Sequence, residues 1–72
     1  MSADGHVVTI NARGMKCPWP ALRAARALRD ATAIVIEADD PIAHAELKAL
    51  ARAQNWAFSA LGDHRFALSR TA

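Results

Sequence analysis

The chain lacks a second cysteine. Its 72 residues carry one thiol, Cys17, which excludes an internal disulfide and with it the usual staple of small secreted domains. Also missing is any apolar run near the roughly 18–20 residues that cross a bilayer. The opening "MSADGHVVTI" has neither a basic n-region nor an apolar h-region. No membrane association is expected; a reducing, cytoplasmic setting is. Glycine and proline are sparse, three each, and no low-complexity tract, internal repeat or linker appears, which excludes a disordered tail. Net charge is only +2, a mild preference for acidic partners that identifies none.

Several chemistries are missing as well. There are no paired carboxylates, no Ser-His-Asp order and no phosphate-cradling glycine loop. His6, His44 and His64 share no metal-ligand spacing with one another or with Cys17. No metal and no other cofactor is expected. The strands lack the aromatics interleaved with basic residues that single-strand readers carry, so direct nucleic-acid binding is not expected.

What is there is an apolar content of 53% against 22% charged residues, the balance of an ordered globular domain. A chain this short buries only about 60% of its unfolded surface, so one domain over residues 1–72 is the expectation. His6–Ala12 alternates, with Val8 and Ile10 on one face, as a first strand. Pro18 to about Asp30, "PWPALRAARALRD", is rich in helix formers. Thr32–Ala38 is a short β-branched run suited to a central strand. "DDPIAHAELKALARAQN" opens a second helix, with Asp40 as N-cap and Pro41 at the first helical position. Ala43, Leu47, Leu50 and Gln54 form its stripe; His44 begins a solvated face that continues through Lys48 to Arg52. Trp56–Leu61 and Arg65–Arg70 alternate around a Gly-Asp turn, a hairpin with Trp56, Phe58, Phe66 and Leu68 in the core. The order β-α-β-α-β-β predicts an α/β (α+β) two-layer sandwich, two helices on one face of a four-stranded mixed sheet.

Cys17 sits in "NARGMKCPWP", Asn11 to Pro20. With a helix starting at Pro18, the prolines at its first and third positions remove donors that have no intrahelical acceptor anyway. Cys17 then falls at the N-cap, facing free amides and the positive end of the dipole. Together with Lys16 and Arg13, that placement predicts a lowered thiol pKa and a usable nucleophile at neutral pH. Gly14 lets the loop take a positive φ or approach a partner closely. The bland alternative is an inert buried cysteine, which is common in small domains. The basic loop and the helix start weigh against it.

These residues resemble the TusA/SirA-like sulfur-carrier proteins, whose signature is a strand ending in an R-G-x-x-C-P-x-P loop that opens the first helix. Here it is Arg13-Gly14-Met15-Lys16-Cys17-Pro18-Trp19-Pro20. A second family feature, an acidic D-D-P turn before the second helix, is matched by Asp39-Asp40-Pro41. The element order and length agree too, so the resemblance covers nearly the whole chain. It implies a sulfurtransferase in which Cys17 accepts sulfur as a persulfide from a cysteine desulfurase or a rhodanese. The sulfur then passes to another protein's reactive cysteine, in tRNA thiolation, molybdenum-cofactor synthesis or the oxidation of inorganic sulfur compounds. Two positions depart from the common pattern. Many members are acidic where this chain has Asn11, and many have Glu, Met or Leu where it has Trp19. Both changes bear on partner choice more than on basic chemistry.

Around the motif, Arg23, Arg26 and Arg29 recur every third residue, spanning about 120° of the helix with Leu22 inside the arc. Such a run is a solvated basic face or a docking surface. In the second case Arg23 and Arg26 steer acidic partners while Trp19 and Leu22 supply apolar anchors. Asp39 and Asp40 could hold the second helix against the cysteine loop through Arg13 or Lys16. The plainer role for Asp40 is a helix cap worth about 1 kcal/mol. Two rivals to a sulfur carrier remain open: a thiol redox sensor that forms sulfenic acid, and a non-catalytic module that binds RNA or a regulatory protein.

Overall fold

The computed structural model describes residues 7–70. His6 lies outside the described residues. The elements run β1 (Val7–Asn11), α1 (Trp19–Ala27), β2 (Ala33–Glu37), α2 (Ala43–Gln54), β3 (Trp56–Gly62) and β4 (Arg65–Arg70). This is the expected β-α-β-α-β-β order, and the fold is the expected α+β sandwich.

The strands form one sheet in the order β1-β2-β4-β3. β1 and β2 are parallel, a pairing that needs a crossover connection, and α1 supplies it. The β3–β4 hairpin folds back so that β4 lies antiparallel to both β2 and β3. Register aligns two transverse rows: Val8, Ile34, Leu68 and Phe58, then Ile10, Ile36, Phe66 and Ala60. Because side chains alternate along each strand, both rows face the helices. All but Ala60, which is exposed, meet Ala24 and Leu28 from the first helical segment and Ala43, Leu47 and Ala51 from α2 in one core. The helices also pack on each other, α1 over β1 and β2 and α2 over β3. The intervening row, Thr9, Val35, Ala67 and Ser59, lies on the other face, where small and polar side chains tolerate exposure.

Boundaries differ from the sequence expectations for identifiable reasons. α1 starts at Trp19 with Pro18 as its N-cap residue, not at Pro18, so Pro18 and Pro20 do not occupy the first and third helical positions. It ends at Ala27, where Arg29 N–H and Asp30 N–H reach the carbonyls of Arg26 and Ala27 in tighter turns. Arg29 therefore falls outside the helix. α2 starts at Ala43 with Ile42 as N-cap residue, two positions beyond the expected start at Pro41. It stops at Asn55, whose φ of 61° is left-handed, a conformation Asn adopts more readily than most residues. The hairpin turn is Asp63-His64, and β3 runs to Gly62 through an irregularity after Ala60, leaving Leu61 exposed. His44 does more than continue a solvated face: its ring lies 5.5 Å from that of Phe58 and 5.4 Å from that of Phe66. No helix among the described residues is long and apolar enough to cross a membrane.

Candidate functional site

The cysteine loop leaves the C-terminal end of β1 and meets the turn that leaves the C-terminal end of β2. Parallel pairing of these strands brings the two signature motifs to the same edge of the molecule. Ala12 anchors the loop: fully buried, it donates its N–H to the Glu37 carbonyl at 2.7 Å. Asn11 then takes the Arg13 N–H on its side-chain oxygen at 3.1 Å, a local turn of the kind Asn and Asp favour. This gives Asn11 a structural task as well as a place near the site. Gly14 follows with φ +83°, the positive angle anticipated for it.

Two acidic residues from the facing turn hold this loop by its backbone. Asp39 Oδ1 accepts the Gly14 N–H at 2.9 Å. Asp40 Oδ2 accepts the Cys17 N–H at 3.1 Å, while its Oδ1 accepts the Ile42 N–H at 2.8 Å. Both aspartates thus join the turn to the cysteine loop, but through amides and not through Arg13 or Lys16. Asp40 closes the turn ahead of α2, where its carbonyl also takes the Ala43 N–H at 2.9 Å. It does not cap the helix proper. Those two amide donors, first Ile42 and then Cys17, hold its carboxyl below the usual carboxylate range, helped by the Lys16 charge.

The electrostatics of Cys17 run against the expectation of a lowered pKa. Partial burial, a hydrogen bond to the Glu46 side chain and the negative charges of Glu46 and Asp40 push the thiol upward. The position of the thiol relative to the helix also differs from the expectation. Cys17 precedes the N-cap residue and is not the N-cap itself. Of the amides at the helix start, Trp19 N–H bonds the Lys16 carbonyl at 2.9 Å and Leu22 N–H that of Pro18 at 3.0 Å, and Pro20 has none. Arg13 turns away, its Nε 3.2 Å from Glu37 Oε1, the only ion pair among the described residues. Lys16 acts on Asp40. The surroundings of Cys17 therefore favour the thiol over the thiolate.

The helix start and the facing turn that frame this half-buried thiol also carry exposed apolar side chains. Trp19 is 59% exposed, Leu22 51% and Ile42 53%; the hydrogen bonds of Asp40 bring Ile42 beside the loop. Pro20 on the opposite side of the helix start is buried and fixes α1 to the core. Arg23 and Arg26, both exposed, line a shallow cleft of about 300 Å³ with Ile10 and Ala27 at its floor. Glu46, Glu37 and Ile42 were not singled out from sequence. Glu46 could have been noticed as the acidic residue in the first turn of α2, one turn beyond Ile42. Nothing local, however, shows that this turn faces the thiol. Among the described residues no cluster of three or more His, Cys, Asp and Glu side chains could hold a metal.

Comparison with known proteins bears on the family and the fold. The sequence profile of a family described as sulfurtransferase TusA matches residues 8–69, a span that includes both motifs. Among solved structures, the crystal structure of a SirA-like protein from Desulfitobacterium hafniense superposes with a TM-score of 0.79 at 22% identity. The match covers 90% of this chain and 99% of that one, and it establishes a shared fold. No curated protein matches. With a family profile that spans nearly all the described residues, the chain belongs to the TusA sulfurtransferase family.

Proposed function

We propose that this protein is a sulfur carrier that receives sulfane sulfur on Cys17 and relays it to a cysteine of an acceptor protein. The observation that supports this best is the setting of the thiol. Cys17 is held by its own backbone amide on Asp40, and it lies beside an exposed apolar rim of Trp19, Leu22 and Ile42. In the transfer, Cys17 sulfur attacks the outer sulfur of a donor persulfide. A new S–S bond forms to Cys17, the donor's S–S bond breaks, and its electron pair leaves on the donor's cysteine sulfur. The step is an exchange and needs no oxidant. As the chain's one cysteine, Cys17 leaves no internal thiol to resolve the persulfide, so the sulfur stays available for an acceptor.

Docking falls to the surface next to the loop. Trp19, Leu22 and Ile42 provide an apolar anchor, and Arg23 and Arg26 steer an acidic partner surface. The donor is a cysteine desulfurase or a rhodanese. The acceptor serves tRNA thiolation, molybdenum-cofactor synthesis or inorganic sulfur oxidation, in the reducing cytoplasm where a lone thiol stays free. Gly14, Asp39, Asp40 and Pro41 hold the loop in shape. A peroxide sensor is less well supported, because such sensors depend on a standing thiolate and this site raises the thiol pKa.

Incubation with a cysteine desulfurase and cysteine, or with a rhodanese and thiosulfate, followed by intact-mass measurement, tests the proposal. The expected product carries one additional sulfur atom, removable by reductant and absent in Cys17→Ser. Failure to load from either donor, with rapid peroxide oxidation instead, would reject the carrier role in favour of a sensor. Partner or RNA binding that survives Cys17→Ser, with no sulfur adduct in the parent, would indicate a non-catalytic module.

A further inference from the structure

β1 is an edge strand. In the order β1-β2-β4-β3 it pairs with β2 alone, so along its outer side the backbone has no ladder among the described residues. Ala12 N–H bonds the Glu37 carbonyl, and backbone groups alternate in direction along a strand. Those of Val8 and Ile10 therefore point toward β2, and those of Val7, Thr9 and Asn11 point outward. Natural edges are commonly blunted by charge, proline or a bulge. The opposite edge follows that rule, since β3 is irregular after Ala60. β1 does not: "VVTIN" holds neither a charge nor a proline, and its register with β2 is unbroken from Val7 to Asn11.

The flank of α1 beside this edge carries the second observation. Ile10, Arg23, Arg26 and Ala27 line a cleft of about 300 Å³, so its described walls belong to β1 and α1. Because α1 packs over β1 and β2 while α2 packs over β3, the cleft opens on the flank away from α2, above the free edge. Its floor is apolar and both arginines are exposed. The only ion pair among the described residues joins Arg13 to Glu37, so neither Arg23 nor Arg26 has a carboxylate there.

We propose that the β1 edge docks an extended, acidic segment of a partner protein, which joins the sheet as an added outer strand. Strand addition supplies backbone hydrogen bonds, and alternate side chains supply selectivity. On the helix side of the added strand, an apolar side chain covers Ile10 and Ala27. Carboxylates flanking it meet Arg23 and Arg26, whose guanidinium groups donate paired hydrogen bonds to them. A second copy of this chain is a poor occupant. Pairing β1 with β1 about a two-fold axis would bring Arg23 and Arg26 of both copies face to face, and like charges repel. RNA fits less well too, because the outward amides and carbonyls of β1 alternate donors with acceptors, whereas phosphates offer acceptors alone. β1 leads into the cysteine loop and α1 leads out of it, so a segment seated here runs to the loop that carries Cys17.

The test titrates the full chain, isotope-labelled on its amides, with a capped Thr-Glu-Thr-Leu-Thr-Glu-Thr peptide. Nuclear magnetic resonance should show shifted amide signals and slower hydrogen exchange at Thr9 and Asn11, with β3 unmoved. Arg23→Glu combined with Arg26→Glu should weaken binding by roughly tenfold or more, and added salt should weaken it in the parent. Thr9→Pro removes an outward amide without touching the ladder to β2, and should weaken binding several-fold. If circular dichroism shows that this variant does not fold, two peptides methylated on alternate sets of backbone nitrogens decide. The set that faces β1 should abolish binding, and retained binding by both peptides would overturn the proposal. So would no binding at millimolar peptide, shifts confined to the cysteine loop, or equal binding of a peptide with Lys in place of Glu. An oligouridylate that moves the β1 amides more strongly than the peptide would assign the edge to RNA instead, and self-association through β1 would assign it to a second copy. Binding is read with no sulfur donor present, so it stands or falls separately from sulfur loading of Cys17.

Discussion

Asp40 divides its carboxylate between two backbone amides, one in its own turn and one in the cysteine loop. Its pKa is depressed in the folded chain by those donors. A depressed carboxylate contributes stability that is fully present above its unfolded value near 4 and is lost as pH falls through the folded value. Denaturation midpoints measured against pH should therefore drop below about pH 4, and Asp40→Asn should show a smaller drop over that window. Cys17 has the opposite sign. Burial and the acidic neighbours raise its pKa, so the pH profile of iodoacetamide labelling should have its midpoint above the ordinary thiol value of about 8.5. Asp40→Asn, which removes one of the charges, should bring that midpoint down. A midpoint well below the ordinary value would show that helix and basic groups dominate after all.

On the scale of the element, the cysteine loop is a short connection pinned at each end. Ala12 is hydrogen-bonded to β2, Gly14 to Asp39 and Cys17 to Asp40. Between them Gly14 takes φ +83°. A Cβ at Gly14 would meet nothing within 4 Å, so the cost of Gly14→Ala is conformational alone, roughly 1–2 kcal/mol for a left-handed angle. Urea unfolding should show that loss, and slower sulfur loading should accompany it because the loop presents the thiol. The helix that follows illustrates what local rules can and cannot say. Two prolines in "CPWP" announce a helix start, and α1 begins between them, at Trp19. The engagement of the neighbouring amides by Lys16 and Pro18 carbonyls depends on how the loop enters the helix, and that entry is set by β1 and the aspartate turn.

At the scale of the whole molecule, a small core supports a large exposed working surface. Leu47 is fully buried between α2 and the sheet. Leu47→Ala should cost roughly 2–5 kcal/mol, visible as a marked fall in the thermal midpoint. Trp19, larger but 59% exposed, should behave differently. Trp19→Ala is expected to change stability by no more than about 0.5 kcal/mol, as surface substitutions do. It should weaken loading from a protein donor, measured as a higher donor concentration for half-maximal rate. Arg23→Glu with Arg26→Glu should weaken that loading further and reduce its salt dependence, since the attraction they supply is screened by ions.

The residues by themselves determined the element order, the two-layer fold, the hairpin and the placement of Cys17 at the start of α1. These follow from periodicity and from proline and glycine chemistry, which act over a few positions along the chain. The positive φ of Gly14 and the pairing of Asp39 and Asp40 with the loop were also foreseeable in kind. Their partners were not. Gly14 and Asp39 are separated by 25 residues and Cys17 and Asp40 by 23, and the link runs through amides that no residue type reveals. Glu46 stayed hidden for the same reason, and so did the sign of the thiol's pKa. A helix terminus and two basic neighbours argue for a thiolate when only neighbours in sequence are counted. Folding sets the charges of Glu46 and Asp40 near the sulfur and turns Arg13 toward Glu37. Electrostatics act through space, so only the tertiary structure decides which charges the thiol meets.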